Sequence, residues 1–182
     1  VAILPMLGIG GMQLYRAETP GPVKDSKLTP RIKETALALW SIYLGLTAVC
    51  AIAFWAAGMT LFDAICHSFS TIAIGGFSTH DASIGYFDSA AIESITIIFM
   101  VLAGINFGLH FFAFKDRSAS VYFKDDEVIF YITILLTASI IVFFGLWYES
   151  TYSIQESFRV GVFHVVSIFT TTGFATEEFS SW

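Results

Sequence analysis

Three of the four histidines of this largely apolar chain fall in two stretches that resemble each other. The first reads HSFSTIAIGGFSTHD, from His67 to Asp81, and the second HVVSIFTTTGFATEE, from His164 to Glu178. They align without a gap at a constant offset of 97, pairing His67 with His164, Ser70 with Ser167, Gly76 with Gly173, Phe77 with Phe174 and Thr79 with Thr176. Two chemistries compete for such residues. A membrane-embedded hydrolase or metalloenzyme would draw on His67, His80, Asp81 and His164, but no HExxH or related spacing occurs, and one catalytic centre has no need of a repeated segment. The other is ligation of a cation by backbone carbonyls around the glycines, and an internal repeat in register suits it.

For successive carbonyls to face one axis, the backbone must alternate between ordinary and left-handed angles. Glycine visits the left-handed region at almost no steric cost, so Gly76 and Gly173 are expected at that turn. Rings of such carbonyls replace a cation's hydration shell. A short helix aimed at the ion with its C-terminal end adds partial negative charge, which favours a cation. Phe77 and Phe174 are expected to brace the loops against surrounding helices. Thr71, Ser78, Thr171, Thr172 and Thr176 are placed to satisfy local backbone groups.

The elements that hold these loops follow from composition. Apolar residues make up 55% of the 182 and charged residues 13%, and mean hydropathy is +0.72, which marks a membrane protein. Charge is absent between Glu34 and Asp63, between Glu93 and Lys115, and between Glu127 and Glu149. The last two gaps are about 21 residues each, or ~31 Å of helix, the thickness of a bilayer's hydrocarbon core. Three full spans are therefore expected at roughly 36–58, 92–114 and 128–148. Residues 1–15 are apolar but too short to cross alone, and no signal peptide is recognisable in the opening VAILPMLGIGGM. They read as the inner tail of a span that begins before this excerpt. Cys50 and Cys66 sit in apolar segments without ligand spacing and read as buried free thiols.

Basic residues orient the chain. Arg16, Lys24, Lys27, Arg31 and Lys33 precede the first full span, and Lys115, Arg117 and Lys124 separate the second from the third. Both loops are cytoplasmic by the positive-inside rule. The opposite side holds Asp63, Asp81, Asp88, Glu93, Glu149, Glu156, Glu177 and Glu178 with only Arg159 against them. Such a vestibule concentrates cations, although a solvated acidic loop reads equally well from charge alone. The segments at about 61–73 and 154–170 have helical pattern but are too short to span, as suits re-entrant helices that enter from outside. Non-helical backbone at their ends is tolerated at membrane depth only inside protein or along a watery path.

On the stretches LPMLGIGGMQLYRAETPGP, HSFSTIAIGGFSTHDASIGYFDS and FTTTGFAT, the chain resembles the Trk/Ktr/HKT superfamily of cation transporters, and in particular the membrane subunits of bacterial Trk potassium uptake. The resemblance covers essentially all 182 residues. It implies an all-α membrane protein of potassium-channel-like units, each an outer helix, re-entrant pore helix, filter loop and inner helix. By it, residues 1–16 end the first unit's inner helix, 17–34 form a cytoplasmic loop, 35–117 the second unit with its filter at 73–78, 118–127 a cytoplasmic loop, and 128–182 the third unit as far as its filter at 170–175. The filter stretches it implies are Ala73, Ile74, Gly75, Gly76 and Phe77, and Thr170, Thr171, Thr172, Gly173 and Phe174. Potassium would meet the carbonyls of Ile74, Gly75, Gly76, Thr171, Thr172 and Gly173. Gly75 stands where the second copy has Thr172, so a threonine hydroxyl is available from the second copy alone.

The resemblance further implies potassium uptake across the bacterial inner membrane by a multi-pass protein that is not an enzyme. It implies no covalent cofactor, only K+ as the transported ion. The implied partners are a cytoplasmic nucleotide-binding ring of TrkA type, a second copy in a homodimer, and the lipid bilayer, with no nucleic acid. A cation carrier with re-entrant hairpins, working by alternating access, is the alternative. Such carriers usually hold inverted repeats, whereas these two copies enter from one side. His67 and His164 are expected to hydrogen-bond a neighbouring helix or loop, Asn106 and His110 to serve helix packing, and Arg159 to pair with Glu156 or with the acidic outer loops.

Overall fold

The structure, a computed structural model, describes residues 32–148 and 153–177, so the first basic segment and the expected inner-helix tail at 1–16 lie outside the described residues. Every regular element among the described residues is helical. The chain runs through α1 (Ile32–Ala56), α2 (Leu61–Ile72), a 3-10 turn (Ser83–Phe87), α3 (Ala90–Gly104), α4 (Phe107–Asp116), α5 (Ser120–Lys124), α6 (Asp126–Tyr148) and α7 (Ile154–Phe169).

Local chemistry sets where helices start. Thr60 caps α2 by accepting the Asp63 amide. Ser153 and Glu156 form a reciprocal capping box at α7. Asp125 accepts from the amides of Glu127 and Val128 at the head of α6. At 25 and 23 residues, α1 and α6 are each long enough to cross ~30 Å of hydrocarbon, whereas α2 at 12 residues reaches only ~18 Å. Large apolar side chains of both long helices stand exposed, among them Ile52, Trp55, Ile141 and Phe144. Hydrocarbon rather than water is the solvent such faces suit.

The expected continuous span at 92–114 is broken. Helices α3 and α4 meet at 96°. Ile105 takes an extended conformation, and Asn106 caps α4 by accepting the Gly108 amide. A side chain that caps a new helix inside an apolar run restarts the chain in another direction, and hydropathy does not register direction.

Around the loops, α1 packs on α2 and α4, α6 packs on α7, and α3 contacts both α2 and α7. The core is shared by the two halves: Phe54, Ile72, Met100, Leu135, Phe163 and Phe174 belong to one buried cluster. Cys50 is buried as expected, while Cys66 is half-buried; both are free thiols.

Candidate functional site: the paired loops after α2 and α7

Each short helix ends in the same closure. After α2, the Ile74 amide donates to Thr71 O at 3.2 Å and the Gly75 amide to Ser70 O at 2.8 Å. After α7, the Thr171 amide donates to Ile168 O and the Thr172 amide to Ser167 O, both at 2.9 Å. This is the Schellman arrangement, which requires a left-handed residue just past the helix. Ile74 (φ 55°) and Thr171 (φ 60°) occupy that place, followed two residues on by Gly76 (φ 67°) and Gly173 (φ 87°). The expected alternation is present in both loops. Sequence reasoning anticipated its glycine member and missed Ile74 and Thr171, because glycine, the usual signal for this closure, is absent at those positions.

The alternation sorts donors from acceptors. Amides of Ala73, Ile74 and Gly75, and of Thr170, Thr171, Thr172 and Gly173, all turn back to carbonyls of the preceding helix. Among the described residues, no hydrogen bond is donated to the carbonyls of Ala73, Ile74, Gly75 or Gly76, nor to those of Thr170, Thr171, Thr172 or Gly173. Thr170 and Thr172 are buried, Ile74, Gly75 and Gly76 half-buried, and Ala73, Thr171 and Gly173 exposed, so these carbonyls line a partly open face whose electropositive partner is water or a cation.

The two loops also touch. A Cβ placed on Gly76 would lie 1.9 Å from Thr172 O. The Thr172 hydroxyl is held by that of Thr170 at 2.7 Å. The two phenylalanines part company: Phe174 is buried as expected, but Phe77 is 81% exposed and braces nothing among the described helices. Its ring instead lies along Gly75, the position without a side chain.

Behind each loop stands a histidine. In neutral His67, Nδ1–H donates to Asp63 O at 2.8 Å and Nε2 accepts from the Ser78 hydroxyl at 2.9 Å. In His164, Nδ1–H donates to Val160 O at 2.9 Å and Nε2 accepts the Thr176 amide at 3.4 Å. A carbonyl only accepts, so both rings carry the same tautomer. Both bond a neighbouring loop, as expected.

Outside the spans, the outer ends of the two helices differ. Asp63 is buried and accepts from the hydroxyls of Thr79 (2.6 Å) and Thr60 (2.7 Å) and from His80 (3.2 Å), whose ring stacks on Tyr86. The Thr79 hydroxyl first, then that of Thr60, holds its carboxyl below the usual carboxylate range. On α7 the corresponding position is Val160, and the charge sits at Arg159. Arg159 forks onto buried Glu93, with Nη2 2.7 Å from Oε1, and reaches Asp88 at 3.5 Å. Among the described residues no bond joins it to Glu156, whose Oε2 accepts from the hydroxyl and amide of Ser153, which hold that carboxyl below its usual range. Gly85, Asp88, Glu93, Arg159, Thr176 and Glu177 border a cavity of about 130 Å³ beside the second loop. Among the described residues no group of three or more His, Cys, Asp and Glu side chains is placed to hold a metal.

The chain as a whole matches known proteins. All of residues 1–182 match the family described as TrkH, cation transport protein. The chain is 58% identical over 182 residues to the Trk system potassium uptake protein TrkH of Halomonas elongata, covering 100% of this chain and 38% of that protein. It is 54% identical over 187 residues to the protein of the same name from Escherichia coli, with the same coverage. The crystal structure of the potassium transporter TrkH from Vibrio parahaemolyticus superposes with a TM-score of 0.82 at 51% identity, covering 100% of this chain and 36% of that one. The chain thus spans 36–38% of the length of the curated relatives it matches.

Proposed function

The chain belongs to the TrkH family of cation transport proteins, and from that premise we propose that it supplies two neighbouring filter segments of a potassium uptake pore. The carbonyls of Ile74, Gly75, Gly76, Thr171, Thr172 and Gly173 take over the hydration shell of K+, with Ala73, Phe77, Thr170 and Phe174 as the flanking residues. The observation that carries this reading is the sorting of the two loops: amide donors consumed by the helix behind, carbonyls left without donors, left-handed residues at equal places. A cation is the partner those oxygens lack, and the C-terminal ends of α2 and α7 lend it partial negative charge.

In this proposal residues 35–117 and 128–182 are two like units in a bacterial inner membrane. α1 and α6 are outer helices, α2 and α7 re-entrant pore helices, and α3 with α4 the second unit's broken inner helix. The basic segments face the cytoplasm and meet lipid head groups or a regulatory nucleotide-binding ring of TrkA type. The full-length protein works as a homodimer, without covalent cofactor or catalysis, and ions pass down their gradient. The relatives' names, Trk system potassium uptake proteins, support the substrate.

Recordings from the full-length protein in planar bilayers separate a pore from an alternating-access carrier. Discrete unitary currents that reverse at the potassium equilibrium potential are expected. Potassium flux without unitary steps would overturn the pore.

A further inference from the structure

The second loop is held from two sides, and one of them belongs to the other repeat. Its own helix contributes the Ser167 hydroxyl, which donates to Phe174 O at 2.7 Å, and His164, which accepts from Thr176. The opposite side is the 3-10 turn Ser83–Phe87. Ala175 lies two residues past Gly173. Its amide donates to the Ser83 hydroxyl at 3.3 Å, and its carbonyl accepts the Gly85 amide at 3.2 Å. Both backbone groups of one loop residue are thus taken by the neighbouring repeat. The approach is close: a Cβ on Gly85 would stand 2.4 Å from Thr176 O.

The turn is itself anchored. Ile84 is fully buried, and left-handed residues, Ser83 (φ 54°) and Asp88 (φ 39°), bound it on either side. Arg159 of α7 reaches Asp88 at the turn's end while forking onto Glu93 of α3. A closed circuit results, from turn to Ala175, along the loop to α7, and back through Arg159. Among the described residues the first loop has no such tie. At the position equivalent to Ala175 stands Ser78, whose hydroxyl is engaged by His67 and by the His80 amide of the same repeat.

We propose that the turn Ser83–Phe87 is a strap that positions the neighbouring repeat's loop, so that ion selection at Gly173 is set partly by Ser83 and Gly85. These are positioning residues, since they touch the loop backbone and not the ion. The proposal rests on the filter reading above. Its physical basis is that a carbonyl ring selects by the placement of its oxygens, and the backbone two residues away is fixed by two hydrogen bonds from outside its own unit.

The test is rubidium uptake with sodium competition by the full-length protein in proteoliposomes, for wild type, Ser83→Ala, Gly85→Ala, Gly173→Ser and Ser94→Ala. Ser94 is an exposed hydroxyl on α3 that bonds only Ala90 O of its own helix, and its variant is expected to match wild type. Loss of one neutral hydrogen bond corresponds to about a threefold to tenfold change in an equilibrium. Ser83→Ala is therefore expected to lower the rubidium-to-sodium ratio by about that factor and to raise the rubidium KM, with maximal rate per inserted protein kept. Gly85→Ala is expected to do more, and if it fails to insert, Ser83→Ala alone decides. Wild-type ratio and KM in Ser83→Ala, alongside an altered Gly173→Ser, would overturn the strap. An unaltered Gly173→Ser would remove the filter reading and the strap with it.

Discussion

Gly76 stands against Thr172 so closely that one added carbon would lie 1.9 Å from the threonine's carbonyl oxygen. The two loops therefore meet backbone to backbone, and no side-chain rearrangement can make room. Gly76→Ala is expected to abolish uptake. Backbone shift adds to a left-handed penalty of about 1–2 kcal/mol, so the thermal midpoint of the detergent-solubilised full-length protein is expected to fall as well. Unchanged uptake and midpoint would mean that the loops do not abut.

Thr171 is a β-branched residue at φ 60°, held there by the closure of α7. Strain of order 1 kcal/mol is stored at such a residue. Thr171→Gly relieves it at the cost of a more flexible chain, so the net change in stability is expected to stay within ~1 kcal/mol of wild type while the rubidium-to-sodium ratio falls. The pairing of a preserved thermal midpoint with lost selectivity checks this.

Arg159 and Glu93 join α7 to α3, with Glu93 buried and Arg159 38% exposed on its side chain. Arg159→Gln leaves a buried carboxylate without its partner. A loss of about 2–3 kcal/mol is expected, below the full cost of breaking a wholly buried pair because solvent reaches the guanidinium. Adding Glu93→Gln is expected to restore much of it. Thermal unfolding of both variants and the double variant gives the coupling directly.

His110 ties the bend between α3 and α4. Its Nε2–H donates to Leu102 O at 2.9 Å, and its Nδ1 accepts the Tyr122 hydroxyl at 2.8 Å. Leu102 is in the last turn of α3 and Tyr122 in α5, so one ring links three helices. Tyr122→Phe is expected to cost about 1 kcal/mol and His110→Ala about 1–3 kcal/mol, with the double variant less than additive. Additive losses would dissociate the two contacts.

How far the sequence carried this picture depends on whether a feature is written in composition or in geometry. The charge-free runs located α1 and α6, and the in-register repeat located both loops, because hydropathy and glycine are properties of residues. The break at Ile105 and Asn106 was invisible to a count of apolar residues, although Gly104, Asn106 and Gly108 together spell a helix end and a new cap. Ile74 and Thr171 are left-handed through hydrogen-bond closure and not through residue type. The strap at Ser83 and Gly85 is a contact across 90 residues between two loops, for which a single sequence has no local sign. Arg159 stands in the sequence as a lone cation among acids, but its fork onto Glu93 depends on the packing of α7 against α3, which a single sequence does not display.

The most direct test of the central claim is rubidium tracer uptake with sodium competition by the full-length protein in proteoliposomes, comparing wild type with Gly173→Ser. Uptake selective for rubidium in wild type, and either admission of sodium or loss of flux in the variant at equal insertion, is the predicted result. Equal flux and equal selectivity in the two proteins would contradict it, and the paired loops would then not be the filter.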